Sequence, residues 1–181
     1  MKGRKWFGKG KENGEYIREV TLSTMELGCL VDYDLQTWEV TGISTYDFDG
    51  FLTREWELSN GTEVRFLERV EEDGKAEWTL TRKIQINQIE ENIIDIIVEF
   101  DDPPEEIHYQ ERLYKAVESS AGILRDADED EGGREFVNWS YEEDGDRVLF
   151  ITQWGERDFM ACEGTYVEEY QFTDILPGSQ Q

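Results

Sequence analysis

The feature that most constrains the fold is a series of strand-forming segments separated by short turns. The segments are rich in β-branched and aromatic residues and span 28–33, 38–43, 51–58, 62–70 and 76–86. The turns between them contain Asp-Leu-Gln, Asp-Gly, Asn-Gly and Asp-Gly. This spacing is typical of short antiparallel strands in a small sandwich or barrel. The sequence therefore predicts an all-β protein.

The same order of turns and aromatic residues recurs in the second half of the chain. The matched residues are Tyr33 and Trp38 with Tyr109 and Tyr114, Trp56 with Trp139, and Trp78 with Phe159. A near-constant separation of several matched residues is the signature of an internal repeat. We therefore predict internal duplication, with two similar small barrel-like or strongly bent antiparallel sheet units in one compact chain.

Breaks in composition divide the chain into four parts. Residues 101–106, "DDPPEE", form a Pro-Pro break, because paired prolines continue neither a helix nor a central strand. We predict a basic, flexible N-terminal arm at 1–20, a first β unit at 21–100 and a second β unit at 107–178.

The segment 86–100 is ambiguous between helix and strand. Ile86, Ile89, Ile93 and Ile97 follow helical spacing, but isoleucine is a poor helix former. We predict a strand at 93–100 and keep a helix as the alternative.

Hairpin register follows from pairing apolar residues with apolar residues across neighbouring strands. A three-residue loop ending at Gly61 would place Trp56 opposite Val64. A four-residue loop in the second half would place Trp139 opposite Val148. We predict that all four side chains are buried.

The charge distribution excludes one class of partner and suggests another. The formal net charge is −25, and such a field repels nucleic-acid phosphate. The first eleven residues are the exception, with five basic residues and no acidic one. Their candidate interaction residues are Lys2, Arg4, Lys5, Trp6 and Phe7. This arm could contact an anionic surface, including a membrane surface peripherally, or the acidic body; a solvated tail is the alternative interpretation.

Targeting signals and cysteine content point to the cytoplasm. No apolar segment follows the basic start, and the densest apolar run, 93–100, is too short to span a membrane. Cys29 and Cys162 are too few for a disulfide framework and are expected to be buried, inert thiols.

Residue types with catalytic potential are scarce, so we predict no catalytic residues, no cofactor and no specific metal site. His108 is the only histidine, which excludes histidine-based triads. The weak cation-site candidates Asp126, Asp128 and Asp130 begin like a calcium loop. Glu131 stands where that loop requires glycine, however, so a solvated acidic loop is the favoured interpretation. Most of the six tryptophans alternate with polar residues and are expected in the core rather than in a ligand platform.

Several turn and aromatic positions resemble a known bacterial family. They are Leu27-Gly28, the segment 38–42, the turn from Tyr46 to Gly50, Glu55-Trp56 and Leu67-Glu68, followed by "TQWGERDFMACEG" and "ILPG" near the end. This pattern, which covers about 22–178, resembles the family named domain of unknown function 4178. The resemblance brings no established catalytic residue.

These observations favour a non-catalytic binding or adaptor module whose acidic surface meets a cationic partner. That partner would be a basic protein segment or a polyamine. The alternative is an enzyme or a small-ligand-binding protein with a cleft between the two β units. The oligomeric state is not predicted.

Overall fold

A computed structural model describes residues 20–126 and 133–178 of the chain. The strands of its first half are β1 (Leu30–Tyr33), β2 (Gln36–Phe48), β3 (Phe51–Ser59), β4 (Val64–Glu72) and β5 (Lys75–Ile84). One α-helix follows, α1 (Ile93–Phe100). The strands of the second half are β6 (Glu106–Tyr109), β7 (Arg112–Asp126), β8 (Arg134–Glu142), β9 (Arg147–Gly155), β10 (Asp158–Val167) and β11 (Thr173–Leu176). Short 3-10 turns lie at Leu22–Thr24, Ile86–Gln88 and Glu169–Gln171.

The strands form one antiparallel sheet that closes on itself. Its order is β11-β1-β2-β3-β4-β5-β10-β9-β8-β7-β6, and β2 also pairs with β7. The extra pairing closes eight strands, β2 to β5 and β7 to β10, into a ring. The prediction of an all-β antiparallel fold is confirmed. Strands from both halves of the chain contribute to this single sheet.

The two halves repeat the same local geometry. The β1–β2 turn has left-handed φ angles at Asp34 and Leu35, and the β6–β7 turn has them at Gln110 and Glu111. The β2–β3 register shifts between Val40 and Gly42, and the β7–β8 register shifts between Ala116 and Glu118. These matches support the predicted duplication, and common ancestry of the halves stays a prediction, as does the division of the chain at 101–106.

Two apolar cores lie on the outer face of the ring. The first core packs β1 to β5 against the Leu22–Thr24 turn and the segment that leads into β11, and the second packs β6 to β10 against α1. The tryptophans at their centres are at most 6% exposed: Trp38, Trp56 and Trp78 in the first core, and Trp139 in the second. The prediction that these tryptophans are core residues is confirmed.

Residues 93–100 form α1, so the predicted strand is wrong. Ile93 and Ile97 lie one helical turn apart, and each is 2% exposed in the second core. The helix ends where Asp101 takes a left-handed φ of 60° and donates its N–H to the Ile97 carbonyl over 2.8 Å. Burial of an isoleucine face against the ring outweighs the low intrinsic helix propensity of isoleucine.

The predicted hairpin registers are also wrong. Trp56 lies opposite Leu67 rather than Val64, and Trp139 lies opposite Ile151 rather than Val148. In the first hairpin, the side-chain oxygen of Asn60 accepts hydrogen bonds from the N–H groups of Thr62 and Glu63, which supports a longer loop. Both tryptophans and Val148 are buried as predicted, but Val64 is 43% exposed.

No helix within residues 20–126 and 133–178 has the length and apolar character needed to cross a membrane.

Candidate functional site

A groove of about 670 Å³ opens where the two halves meet at the β2–β7 pairing. We call it the acidic groove. The side chains that give it its character are Asp47, Asp49, Glu135, Phe136, Gln153 and Trp154. Gly122 forms part of its wall, and a Cβ atom there would lie 2.8 Å from both the Asp47 carbonyl and the Phe136 ring. Glycine at this position therefore allows β2, β7 and β8 to come close together.

Two aromatic rings, Phe136 and Trp154, form the floor of the acidic groove, and two more, Tyr46 and Phe48, pack against Phe136. Phe136 lies at their centre and is 5% exposed. Its ring meets Tyr46 edge-on at 5.5 Å and Phe48 edge-on at 5.4 Å, and Trp154 at a tilt at 5.2 Å. Such contacts hold aromatic rings in fixed orientations, so the floor is a defined surface.

The electrostatics of the groove favour cations. Hydrogen bonds from the Gly50 N–H and the Arg125 guanidinium lower the pKa of Asp47, which keeps this carboxylate ionised. The guanidinium of Arg134 lies 4.9 Å from the centre of the Trp154 ring, so this indole already accepts a cation on one face. Carboxylates around an aromatic floor are suited to binding ammonium or guanidinium groups.

The ring also encloses a smaller cavity of about 80 Å³, which we call the lumen. Seven of the eight ring strands contribute side chains to it. Its polar lining residues are Tyr46, Glu55, Glu68, Thr81, Asn138, Thr152 and Cys162, and its apolar ones are Phe48, Phe136, Phe150 and Met160. Phe136 lines both the acidic groove and the lumen, so the two spaces lie next to each other at this residue.

Two carboxyl groups face each other inside the lumen. Glu55 on β3 lies directly opposite Glu68 on β4. The Tyr46 hydroxyl donates a hydrogen bond to Glu55 over 3.1 Å. No hydrogen bond or ion pair within residues 20–126 and 133–178 reaches the Glu68 carboxyl. The pair therefore carries acceptor groups that the surrounding protein leaves unused.

Burial shifts the proton affinities of the lumen groups. Loss of solvation, together with the nearby Glu68 charge, raises the pKa of Glu55 to about 8, and loss of solvation raises that of Glu68 to about 7. Loss of solvation also raises the pKa of Tyr46, and it raises that of Cys162 to about 12. At neutral pH the two carboxyls therefore share protons, while the phenol and the thiol stay neutral.

Most of the candidates predicted from sequence are not among the described residues. The interaction residues Lys2, Arg4, Lys5, Trp6 and Phe7, and the cation candidates Asp128 and Asp130, fall outside the described residues. Only the backbone of Asp126, at the end of β7, is described. Within residues 20–126 and 133–178, no three His, Cys, Asp or Glu side chains are grouped to hold a metal ion. His108 is exposed on β6, where its ring lies 2.8 Å from Glu91.

Sequence reasoning missed the lumen pair because its register was wrong. In the predicted register Glu55 lies opposite Arg65, an ordinary surface pairing. The observed register shifts the parity of β4, so that Glu68 faces inward beside Glu55. The sequence does contain a signal for this pair: Thr53 and Glu55 occupy alternate positions on β3. With the correct register, this alternation would have placed Glu55 on the inner face.

Comparison with known proteins identifies a family without a known activity. A family model described as "Domain of unknown function (DUF4178)" matches residues 26–169. The chain is similar to an uncharacterised protein of Aquifex aeolicus (strain VF5), with 25% identity over 176 residues that cover 96% of each chain. No solved structure matches. The model match spans most of the chain, from before β1 to the end of β10, and the chain belongs to the DUF4178 family.

Proposed function

We propose that the protein is a non-catalytic binding module that holds a cationic partner in the acidic groove. The observation that carries this proposal is the aromatic floor of Phe136 and Trp154 beside the carboxylates of Asp47, Asp49 and Glu135. Attraction between a cation and an aromatic face adds to attraction by the carboxylates, and each exposed contact by itself is weak. Affinity therefore comes from several groups that act together.

Two features of the chain support a cationic partner over an anionic one. The formal net charge of −25 draws cations toward the surface and repels anions. The groove lies at the β2–β7 pairing, and a small polyamine and a basic protein segment would both use this surface. The alternative predicted from sequence is an enzyme or a small-ligand-binding protein with a cleft between the two β units, and such a protein would use the same groove.

The test compares two aspartates that occupy equivalent turns. Asp49-Gly50 and Asp73-Gly74 both join neighbouring strands, and Asp49 (φ 54°) and Asp73 (φ 51°) have nearly the same backbone conformation. Only Asp49 lines the acidic groove. We expect Asp49→Asn to weaken binding of spermine or a basic peptide about two- to fivefold, as loss of one exposed charged contact does. Asp73→Asn should leave binding unchanged.

Titrations of the full chain at low and near-molar ionic strength complete this test. Binding through exposed charges falls steeply with salt. Equal loss of affinity in Asp49→Asn and Asp73→Asn would contradict binding in the groove and indicate binding by the whole acidic surface.

We also propose that the basic arm covers acidic surface in the free protein. Deletion of residues 1–11 should then leave binding as strong as before or stronger.

A further inference from the structure

We propose that the lumen is a subsite for a primary ammonium group, which enters from the acidic groove past the Phe136 ring. This inference deepens the proposed function, because it specifies the chemical group that the cationic partner presents. The ammonium belongs to a diamine or to a lysine side chain of a basic segment. Its chemistry is the same in both cases.

The charge of the lumen is the first argument. Glu55 and Glu68 lie opposite each other, and no ion pair of the described residues includes either carboxyl. The charge of Lys83 acts to lower the pKa of Glu55, but its ammonium lies 4.9 Å from the centre of the Phe66 ring and forms no ion pair with either carboxyl. Two carboxyls without a bound cation leave a local deficit of positive charge that a ligand can supply.

An unpartnered hydroxyl is the second, independent argument. Thr53 is 1% exposed, and its hydroxyl oxygen has no hydrogen-bond partner. It lies opposite Tyr46 and two residues before Glu55, so its side chain is on the same face of β3 as Glu55, next to residues that line the lumen. A primary ammonium has three N–H donors, which matches two carboxyls and one hydroxyl acceptor. The usual expectation that buried polar groups are paired is then met by the ligand.

The walls and the size of the lumen select an ammonium over a metal ion. Phe48, Phe136 and Phe150 line the cavity, and aromatic faces attract ammonium groups. A hard metal ion prefers six or more oxygen ligands, which aromatic walls do not provide. The volume of about 80 Å³ accommodates an ammonium head with a short alkyl stem, and leaves the rest of a longer ligand in the groove.

Proton release distinguishes the lumen from the surface. An ammonium needs ionised carboxyls, whereas near neutral pH the lumen pair holds protons, because burial raises the pKa of Glu55 to about 8 and that of Glu68 to about 7. The other charged or titratable groups that face the pair are Tyr46 on β2, Glu57 on β3, Lys83 on β5 and Cys162 on β10. The raised pKa values of Tyr46 and Cys162 keep both groups neutral below pH 8.

The experiment uses the full chain and 1,4-diaminobutane as the probe, with calorimetry at pH 6 and pH 8 in buffers of different ionisation enthalpy. We expect binding to tighten about tenfold between these pH values and to release protons, because the ligand displaces protons from the carboxyl pair. The analogue in which both nitrogens are fully methylated keeps the charge but donates no hydrogen bond. It should bind at least tenfold more weakly at pH 8. A lysine-containing basic peptide, titrated in the same way, identifies the source of the ammonium.

Variants distinguish binding in the lumen from binding in the groove. Glu68→Gln should reduce the proton release, because only Glu55 remains to lose a proton, and weaken diamine binding about tenfold, while Glu72→Gln, an exposed position on the same strand, should change neither. If Asp49→Asn loses binding while Glu68→Gln has no effect and no protons are released, the lumen proposal is wrong and the groove proposal stands. If Glu68→Gln weakens binding and protons are released while Asp49→Asn has no effect, the groove proposal is wrong. If Glu68→Gln does not fold, absence of proton release from the unaltered protein is sufficient to overturn the lumen.

Discussion

The outer and inner faces of the same ring are built on opposite principles. On β3, Trp56 points outward into an apolar core and is fully buried, while its neighbour Glu55 points inward to a polar cavity. Burial of a large aromatic side chain contributes several kcal/mol to folding, whereas burial of a carboxyl opposes folding unless it is compensated. Alternate residues of one strand therefore serve stability on one face and binding on the other.

The largest expected loss of stability comes from a substitution on the outer face of the ring. Trp56→Ala removes a fully buried indole that also donates a hydrogen bond to the Met25 carbonyl over 3.0 Å. We expect the free energy of unfolding to fall by roughly 3–5 kcal/mol, the usual loss for a large buried aromatic. Chemical denaturation measures this loss of stability. Trp154→Ala, on the partly exposed floor of the acidic groove, is the control and should lower the free energy of unfolding clearly less. Equal losses of stability in the two variants would remove the distinction between the outer core and the groove floor.

The inner face should respond to pH in the opposite sense to ordinary surface carboxylates. A raised pKa means that the folded state holds protons that the unfolded state releases. Stability therefore falls as pH rises from about 4.5, the reference value, to about 8 for Glu55 and about 7 for Glu68, and is level above that. We expect the free energy of unfolding to fall steadily across this range.

Glu68→Gln sharpens this second prediction. The variant removes one of the two carboxyls, so the remaining one no longer faces a like charge. The fall in stability between pH 5 and pH 8.5, measured by urea denaturation, should be less than in the unaltered protein. A fall of the same size in both proteins would place its origin outside the lumen.

The smallest effect concerns an exposed pair on the outside of the molecule. The His108 ring donates a hydrogen bond from Nδ1 to the Glu91 carboxylate, which raises the pKa of His108 and contributes to the lowered pKa of Glu91. We expect NMR titration of His108 to give a pKa above its ordinary value and Glu91→Gln to return it toward that value. Stability should hardly change, because the histidine is exposed. An ordinary pKa for His108 in the unaltered protein would contradict this contact.

The all-β class and the buried tryptophans were predictable because local signals and tertiary packing agree there. The alternation around Trp38, Trp56, Trp78 and Trp139 matches the face that each strand buries. The turn at Asn60 was different, since its side chain stabilises a longer loop than the glycine alone indicates. An error in loop length changed the register, and with it the face assigned to Glu68.

Helix α1 and the acidic groove required tertiary information. The helix forms because Ile93 and Ile97 meet the second core, a contact between segments that no local propensity encodes. The groove forms where β2 meets β7, and its residues Asp49 and Trp154 are about a hundred residues apart in sequence. Its acidic character was predictable from the net charge, but its position was not.

The closure of the sheet leaves few places where another chain can add a strand. Among the described strands, the sheet ends at β6 and β11, and each has only four residues. Glu106 and His108 on β6 are exposed to solvent, and Asp174 interrupts β11 with a left-handed φ of 49°. Short, charged or irregular edges discourage edge-to-edge association, which otherwise leads to aggregation. The fold can thus carry long, aromatic-rich strands without offering them as templates for self-association.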